Sequence, residues 1–342
     1  MWLYDLMLRC FRTVLFILPF AVRRFIVKTT LILPLSLARF FLNIGTRPIG
    51  DEHKWIQKIE QKTWKGVWIV PNLTSLEQAE DVASNSDLVV FYAHGGGYCN
   101  GDSKMYMETF QLIINHLRNE HNIRASILSL EYSLSPEHVW PKARDEAMEA
   151  YQYLTDTMGI PSSKIIFAGD SAGANLVAVT LLTIKTEKHR SQPAGAALFS
   201  PWVDLTINQA SSASNTNDYL NSRQTAKFVG YYVPNFKNLD EASRLSMIRN
   251  PLISPLYGDF SRTCPMFIAY GEKEFLRPSI EKFLFNLEED GVSVTILKGT
   301  NALHVWLVYS LVASTKEVFE KDCKIFIDWM ASIITGSSKV AN

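Results

Sequence analysis

A serine stands between two glycines in Gly169-Asp170-Ser171-Ala172-Gly173, directly after the apolar run Ile165-Ile166-Phe167-Ala168 and directly before an alanine-rich apolar stretch. A serine hydroxyl is a weak nucleophile. It needs a base to take its proton and donors to hold the charge that develops on an attacked carbonyl. The G-x-S-x-G spacing suits that task. A tight strand-to-helix turn thrusts the serine out of the backbone, glycines two residues away on either side avoid clashes with neighbouring chain, and the amino end of the next helix presents free N–H groups. A second stretch, His94-Gly95-Gly96-Gly97, follows the apolar run Leu88 to Ala93. Its glycines let backbone N–H groups approach a substrate oxygen. The expected oxyanion donors are the N–H groups of Gly95, Gly96 and Ala172. Gly97, Gly169 and Gly173 give the turns room, and His94 is expected to hold its loop rather than move a proton.

A nucleophile on such a turn is followed along the chain by its acid and then its histidine. Only two of the seven histidines, His189 and His304, follow Ser171. His189 lies in the charged stretch Lys185 to Arg190, where no acid could precede it in the right layer. His304 lies just after the last predicted strand, in a loop facing the same crevice, and is expected to be the general base. Three acids are candidates to orient it. Glu274 and Glu272 share the loop Gly271 to Arg277, and Asp204 follows an earlier strand. Asp218 and Asp259 read as solvated loop residues. Glu137 and Asp170 read as structural.

Elements that could position these groups are legible in the periodicity. Short, continuously apolar runs at 64–70, 88–93, 125–130, 165–168, 194–199, 266–270 and 292–297 read as buried strands. Helical spacing covers 106–118, 142–157, 172–185, 280–289 and 315–334. The alternation predicts an α/β fold with a central, mostly parallel sheet, helices on both faces, and functional groups past the carboxyl ends of the strands. Residues 205–255, rich in Ser, Asn and Tyr, break the rhythm and read as a helical lid inserted in a domain spanning 49–342.

The composition narrows the function. The 342 residues carry 34 Lys+Arg against 34 Asp+Glu, and no basic tract with interleaved aromatics appears, so no nucleic-acid partner is expected. Cys10, Cys99, Cys264 and Cys323 are scattered, which fits a reducing compartment and offers neither a disulfide framework nor a metal site. Neither cofactor nor metal is expected. The sequence is silent on oligomeric state.

His-Gly-Gly-Gly at 94–97 and Gly-Asp-Ser-Ala-Gly at 169–173 resemble the hormone-sensitive-lipase family of α/β-hydrolases. So do Tyr132-Ser133-Leu134-Ser135-Pro136-Glu137-His138 with Pro141, Ser200-Pro201-Trp202-Val203-Asp204-Leu205, and Asn250-Pro251-Leu252-Ile253-Ser254-Pro255-Leu256. The likeness covers roughly residues 65–335. It implies the α/β-hydrolase fold and a carboxylesterase or deacetylase with a Ser–acid–His triad, a lid and no cofactor. Many relatives carry Asp, in a D-P-L-x-D context, where Glu274 stands; both the Asp and the Pro are missing here. Glutamate serves in some members, and Glu274 is the favoured acid. The expected substrates are short acyl esters, acetyl among them, of hydrophobic alcohols. Tyr98, Trp202, Tyr219, Tyr231, Tyr232 and Trp306 are candidates to line an apolar pocket. Amide cleavage by the same machinery is one alternative, and a silent ligand receptor on this fold is another.

Residues 1–48 form a separate region, mostly apolar, with seven Arg/Lys and one acid, Asp5. Its longest uncharged run, Thr13 to Val22, is about half of the roughly 20 residues a span needs. Three readings follow: a basic, aromatic segment lying on a membrane, a tilted signal-anchor, or helices covering the mouth of the enzyme. The leader adds a resemblance to the fungal steryl-acetate hydrolases and the arylacetamide-deacetylase-like branch. That implies association with the endoplasmic reticulum membrane, a cytoplasmic enzyme being the alternative.

Overall fold

The computed structural model describes residues 2–187, 189–206 and 218–336. Eight strands form one sheet: β1 (Ile56–Glu60), β2 (Lys65–Ile69), β3 (Leu88–Ala93), β4 (Ala125–Leu130), β5 (Ile165–Asp170), β6 (Gly195–Phe199), β7 (Met266–Gly271) and β8 (Val294–Gly299). Their order is β1-β2-β4-β3-β5-β6-β7-β8. β2 runs antiparallel to both β1 and β4, and every other neighbouring pair is parallel. Each residue of β3, β4, β5, β6 and β7 is buried. This explains their unbroken apolar runs, because a parallel sheet covered on both faces has no wet side to alternate toward.

Among the described residues the helices are α1 (Trp2–Ile17), α2 (Phe20–Ile32), α3 (Leu35–Thr46), α4 (Leu76–Ser84), α5 (Met107–His121), α6 (Lys142–Gln152), α7 (Ala172–Thr186), α8 (Ser222–Tyr232), α9 (Glu241–Ile248), α10 (Arg277–Glu289) and α11 (Lys316–Thr335). The expected strands and helices of the sheet region are all present within a few residues. The short edge strand β1 and helix α4 were not foreseen. α7 is buried almost all round, as its alanines and β-branched residues allow. α8 and α9 lie in the expected lid; its stretch 207–217 falls outside the described residues.

The leader folds as three short helices, not one long one. Pro19 and Pro34 cap α2 and α3, and a proline cannot continue the helix before it. The helices have 16, 13 and 12 residues, short of the roughly 20 that cross a bilayer. No helix among the described residues is long and apolar enough to cross a membrane. Two leader arginines point into the protein. Buried Arg23 donates to the carbonyls of Leu311 and Ser314 at 2.8 and 3.0 Å. Arg39 donates to the carbonyls of Cys99 and Ser135 at 2.7 and 2.8 Å and pairs with Glu137 at 2.8 Å. Glu137, read as structural from its motif, is thus an anchor for α3. The hydrogen bond from Arg39 holds its carboxyl down at about 2.

Candidate active site

Ser171 follows β5 and caps α7 with φ 51° and ψ −116°, a conformation that few residues other than glycine adopt and that needs support from its surroundings. A side chain at Gly173 would place its Cβ 2.0 Å from the Ala93 carbonyl oxygen. One at Gly169 would lie 2.7 Å from the backbone of Gly173. The flanking glycines therefore allow β3, β5 and α7 to converge, as their spacing predicts.

The Ser171 hydroxyl donates to His304 Nε2 at 2.9 Å. His304 Nδ1 in turn faces Glu274 Oε1 at 3.3 Å. All three are buried. Glu274 Oε2 accepts from the Gly271 N–H at 2.7 Å and the Ser200 hydroxyl at 2.8 Å. With those bonds in place, Oε1 is turned toward the imidazole. Glu272 is directed elsewhere, accepting the Asn301 N–H at 2.9 Å. Asp204 accepts from the Thr206 N–H at 2.9 Å. The structure thus brings Glu274, and neither alternative, to His304. Burial alone would lower the His304 imidazole. The hydrogen bond and charge of Glu274, with the charges of Asp218 and Asp170, outweigh it and raise the imidazole above its ordinary value.

The glycine loop requires one correction. The Gly95 N–H is taken by Asp170 Oδ1 at 2.9 Å, so it is not available to an oxyanion. Asp170 is buried and also accepts from Tyr92 and Tyr106 at 2.9 and 2.7 Å. It ties the glycine loop to the elbow, the structural role its motif suggests. Burial pushes its carboxyl up, against those hydroxyl bonds. Gly96 and Gly97, with φ of 115° and 64°, line the cleft beside Ser171. Among the described residues, no other backbone carbonyl takes the N–H of Gly96, Gly97 or Ala172. His94 is buried, stacks on Tyr132 with ring centroids 4.3 Å apart, and sets Nδ1 2.8 Å from the Gly95 carbonyl oxygen. It holds the loop, as expected.

Above Ser171 lies an apolar cleft, partly open to solvent. Val27, Leu31 and Leu42 of α2 and α3 form one wall, Leu220 and Phe228 of the lid another. Of the six aromatic candidates, Trp202 and Tyr219 line it. Tyr98 and Tyr232 stack on each other at 3.8 Å, while the Trp306 indole donates to Asp322 at 2.9 Å. Tyr231 lies beside Lys227. Asp259 is exposed and paired with Lys185 at 2.8 Å, as expected of a surface acid. Asp218 is not: it is buried, accepting the N–H groups of Tyr219 and Phe275 at 2.8 and 2.7 Å. Sequence reading also missed Ser200, whose hydroxyl bridges Glu274 and the Val305 N–H, the latter at 2.9 Å. The S-P-W-V-D-L motif was the available signal. Among the described residues, only His116, His121 and Asp328 of α5 and α11 are placed to hold a metal ion, and none of them lines the cleft.

The profile of a family described as alpha/beta hydrolase fold matches residues 90–308. The chain belongs to that family. It is 29% identical over 221 residues to an esterase of Acinetobacter venetianus, covering 64% of this chain and 67% of that protein. It is 28% identical over 224 residues to an acetyl-hydrolase of Streptomyces hygroscopicus, covering 64% and 68%. A solved hormone-sensitive lipase from a metagenome library superposes with a TM-score of 0.73 at 25% identity, over 91% of this chain and 98% of that one. The protein is a hormone-sensitive-lipase-like α/β-hydrolase and a carboxylic ester hydrolase.

Proposed function

We propose that the protein cleaves short acyl esters, acetyl esters among them, of hydrophobic alcohols through a Ser171–His304–Glu274 triad and an acyl-enzyme. The observation that carries this reading is the unbroken relay from hydroxyl to carboxylate at the floor of an apolar cleft. As Ser171 Oγ bonds to the ester carbonyl carbon, its proton passes to His304 Nε2. The carbonyl oxygen becomes an oxyanion facing the N–H groups of Gly96, Gly97 and Ala172. The 3.3 Å bond to Glu274 has room to shorten as the imidazole becomes charged. The imidazolium then protonates the departing alcohol, and water repeats the sequence on the acyl-enzyme. The acetyl-hydrolase relative and the apolar walls of the cleft support a small acyl group on an apolar alcohol. The cleft wall formed by α2 and α3 also supports the leader as a cover over the active site. Its outward apolar side chains support docking of that cover on a lipid surface.

The test is a fluorophosphonate probe together with a panel of esters from acetyl to long-chain. The parent protein should be labelled and should prefer short acyl groups. Ser171→Ala should lose labelling and at least about 10⁴-fold in kcat. Labelling of that variant at the parental rate would refute the assignment, and matched ester and anilide substrates would expose an amidase.

A further inference from the structure

The lid returns to the cleft at Asp218 and Tyr219, and this dipeptide touches both loops of the relay. Asp218 Oδ2 accepts the N–H of Phe275, the residue after Glu274, at 2.7 Å. Its Oδ1 accepts the Tyr219 N–H at 2.8 Å. The Tyr219 hydroxyl donates to the His304 carbonyl oxygen at 2.8 Å. That carbonyl shares one peptide group with the Val305 N–H, which Ser200 holds from the other side at 2.9 Å. The peptide needs both grips, because Val305 sits at φ 52°, an unfavourable conformation for a β-branched residue.

We infer that Asp218 and Tyr219 are positioning residues, a brace by which the lid sets the acid and base loops in register and lends His304 a second negative charge. The inference rests on His304 being the base. A carboxylate would not be buried here without a return, since taking it out of water is costly unless it is paired or hydrogen-bonded. Burial pushes the Asp218 carboxyl up to about 6, with Glu274 adding to that and His304 opposing it. The groups that act on it are thus His304 from the base loop, Glu274 from the acid loop, and Tyr219 on its own segment. Residues 207–217, which precede it, contain no ionisable side chain. The arrangement ties the lid to the relay by one bond to each loop.

Asp218→Asn tests the charge while keeping shape and one acceptor. Without the carboxylate, the His304 imidazolium loses a stabilising neighbour, so the acid limb of kcat/KM should move to lower pH by about half a unit. Tyr219→Phe tests the grip. It should lower kcat several-fold and slow fluorophosphonate labelling to match, with an unchanged melting temperature. A superimposable acid limb in Asp218→Asn would overturn the charge role. Parental kcat and labelling in Tyr219→Phe would overturn the brace. Ser171→Ala and His304→Ala run alongside. If His304→Ala labels normally, the reading of the base fails separately from the brace.

Discussion

Three residues other than glycine with positive φ meet at this site: Ser171, Ser200 and Val305. Each is pinned by hydrogen bonds to a neighbouring loop, so the strain is held where side chains must be aimed. The acid assignment can be read directly from kinetics. Glu274→Gln should lower kcat by roughly 10³-fold or more, since the imidazole loses its orienting charge. Glu272→Gln and Asp204→Asn should stay within about twofold, because Glu272 accepts the Asn301 N–H and Asp204 the Thr206 N–H and the Tyr257 hydroxyl, none of them part of the relay. Full turnover in Glu274→Gln would show the assignment to be wrong. The pH dependence follows from the raised imidazole. Activity needs neutral His304, so kcat/KM should fall as pH drops through a midpoint above the ordinary 6.5. Because Glu274 is the chief group raising the imidazole, the residual activity of Glu274→Gln should show that midpoint at lower pH. A pH series on both proteins checks the sign. The meeting of Ser171 with His304 was legible because a nucleophile elbow needs fixed spacing and only two histidines follow it, whereas Glu274 was favoured through the family resemblance, with Glu272 and Asp204 left open. Asp218 and the loss of Gly95 as a donor were not, because both depend on which N–H a distant carboxylate reaches.

At the scale of elements, the sheet was legible because strands buried on both faces are written as solid apolar runs. β1 and α4 escaped for the opposite reason. In β1 one of five residues, Ile59, is buried, so its sequence carries no such run, and α4 buries only two alanines. The leader was ambiguous because its apolar residues serve two surfaces. Arg39 resolves part of that ambiguity by clamping α3 to the glycine loop through Cys99 and to the Ser135–Glu137 segment. Its worth lies in the two buried-side carbonyl bonds, since the exposed ion pair with Glu137 adds little in water. Arg39→Met should keep the aliphatic packing and lose the clamp. The wall formed by Leu42 would loosen, and KM for an apolar ester should rise several-fold. Fluorophosphonate labelling should stay within about twofold, because the relay does not touch α3. An unchanged KM would mean that α3 is held by packing alone.

For the molecule as a whole, apolar surface is unevenly distributed. Twelve of the seventeen exposed large apolar side chains among the described residues lie on α1, α2 and α3, Phe25, Phe40 and Phe41 among them. Scattered single exposures need no explanation, but a cluster of this kind calls for a partner surface. α2 is apolar on two sides: Val27 and Leu31 face the cleft, while Val22, Phe25 and Ile32 face outward. With Arg12, Arg23 and Arg39 bonded to other parts of the protein, the region keeps four further basic residues against one acid, a balance that favours an anionic lipid interface over a neutral one. On such a surface, helices of this length would lie in the headgroup layer without crossing it, and a cleft walled by them would receive esters already partitioned into lipid. The full chain should therefore co-sediment with vesicles containing anionic phospholipid, less so with zwitterionic ones, and release with salt in part only, because burial of the phenylalanines is not screened. Phe25→Ser/Phe40→Ser/Phe41→Ser should lower vesicle affinity at least about tenfold and leave hydrolysis of a water-soluble acetate unchanged. Equal sedimentation of parent and variant, or none by the parent, would instead point to another occupant of this face, such as a second copy of the chain, which sedimentation equilibrium without vesicles would reveal.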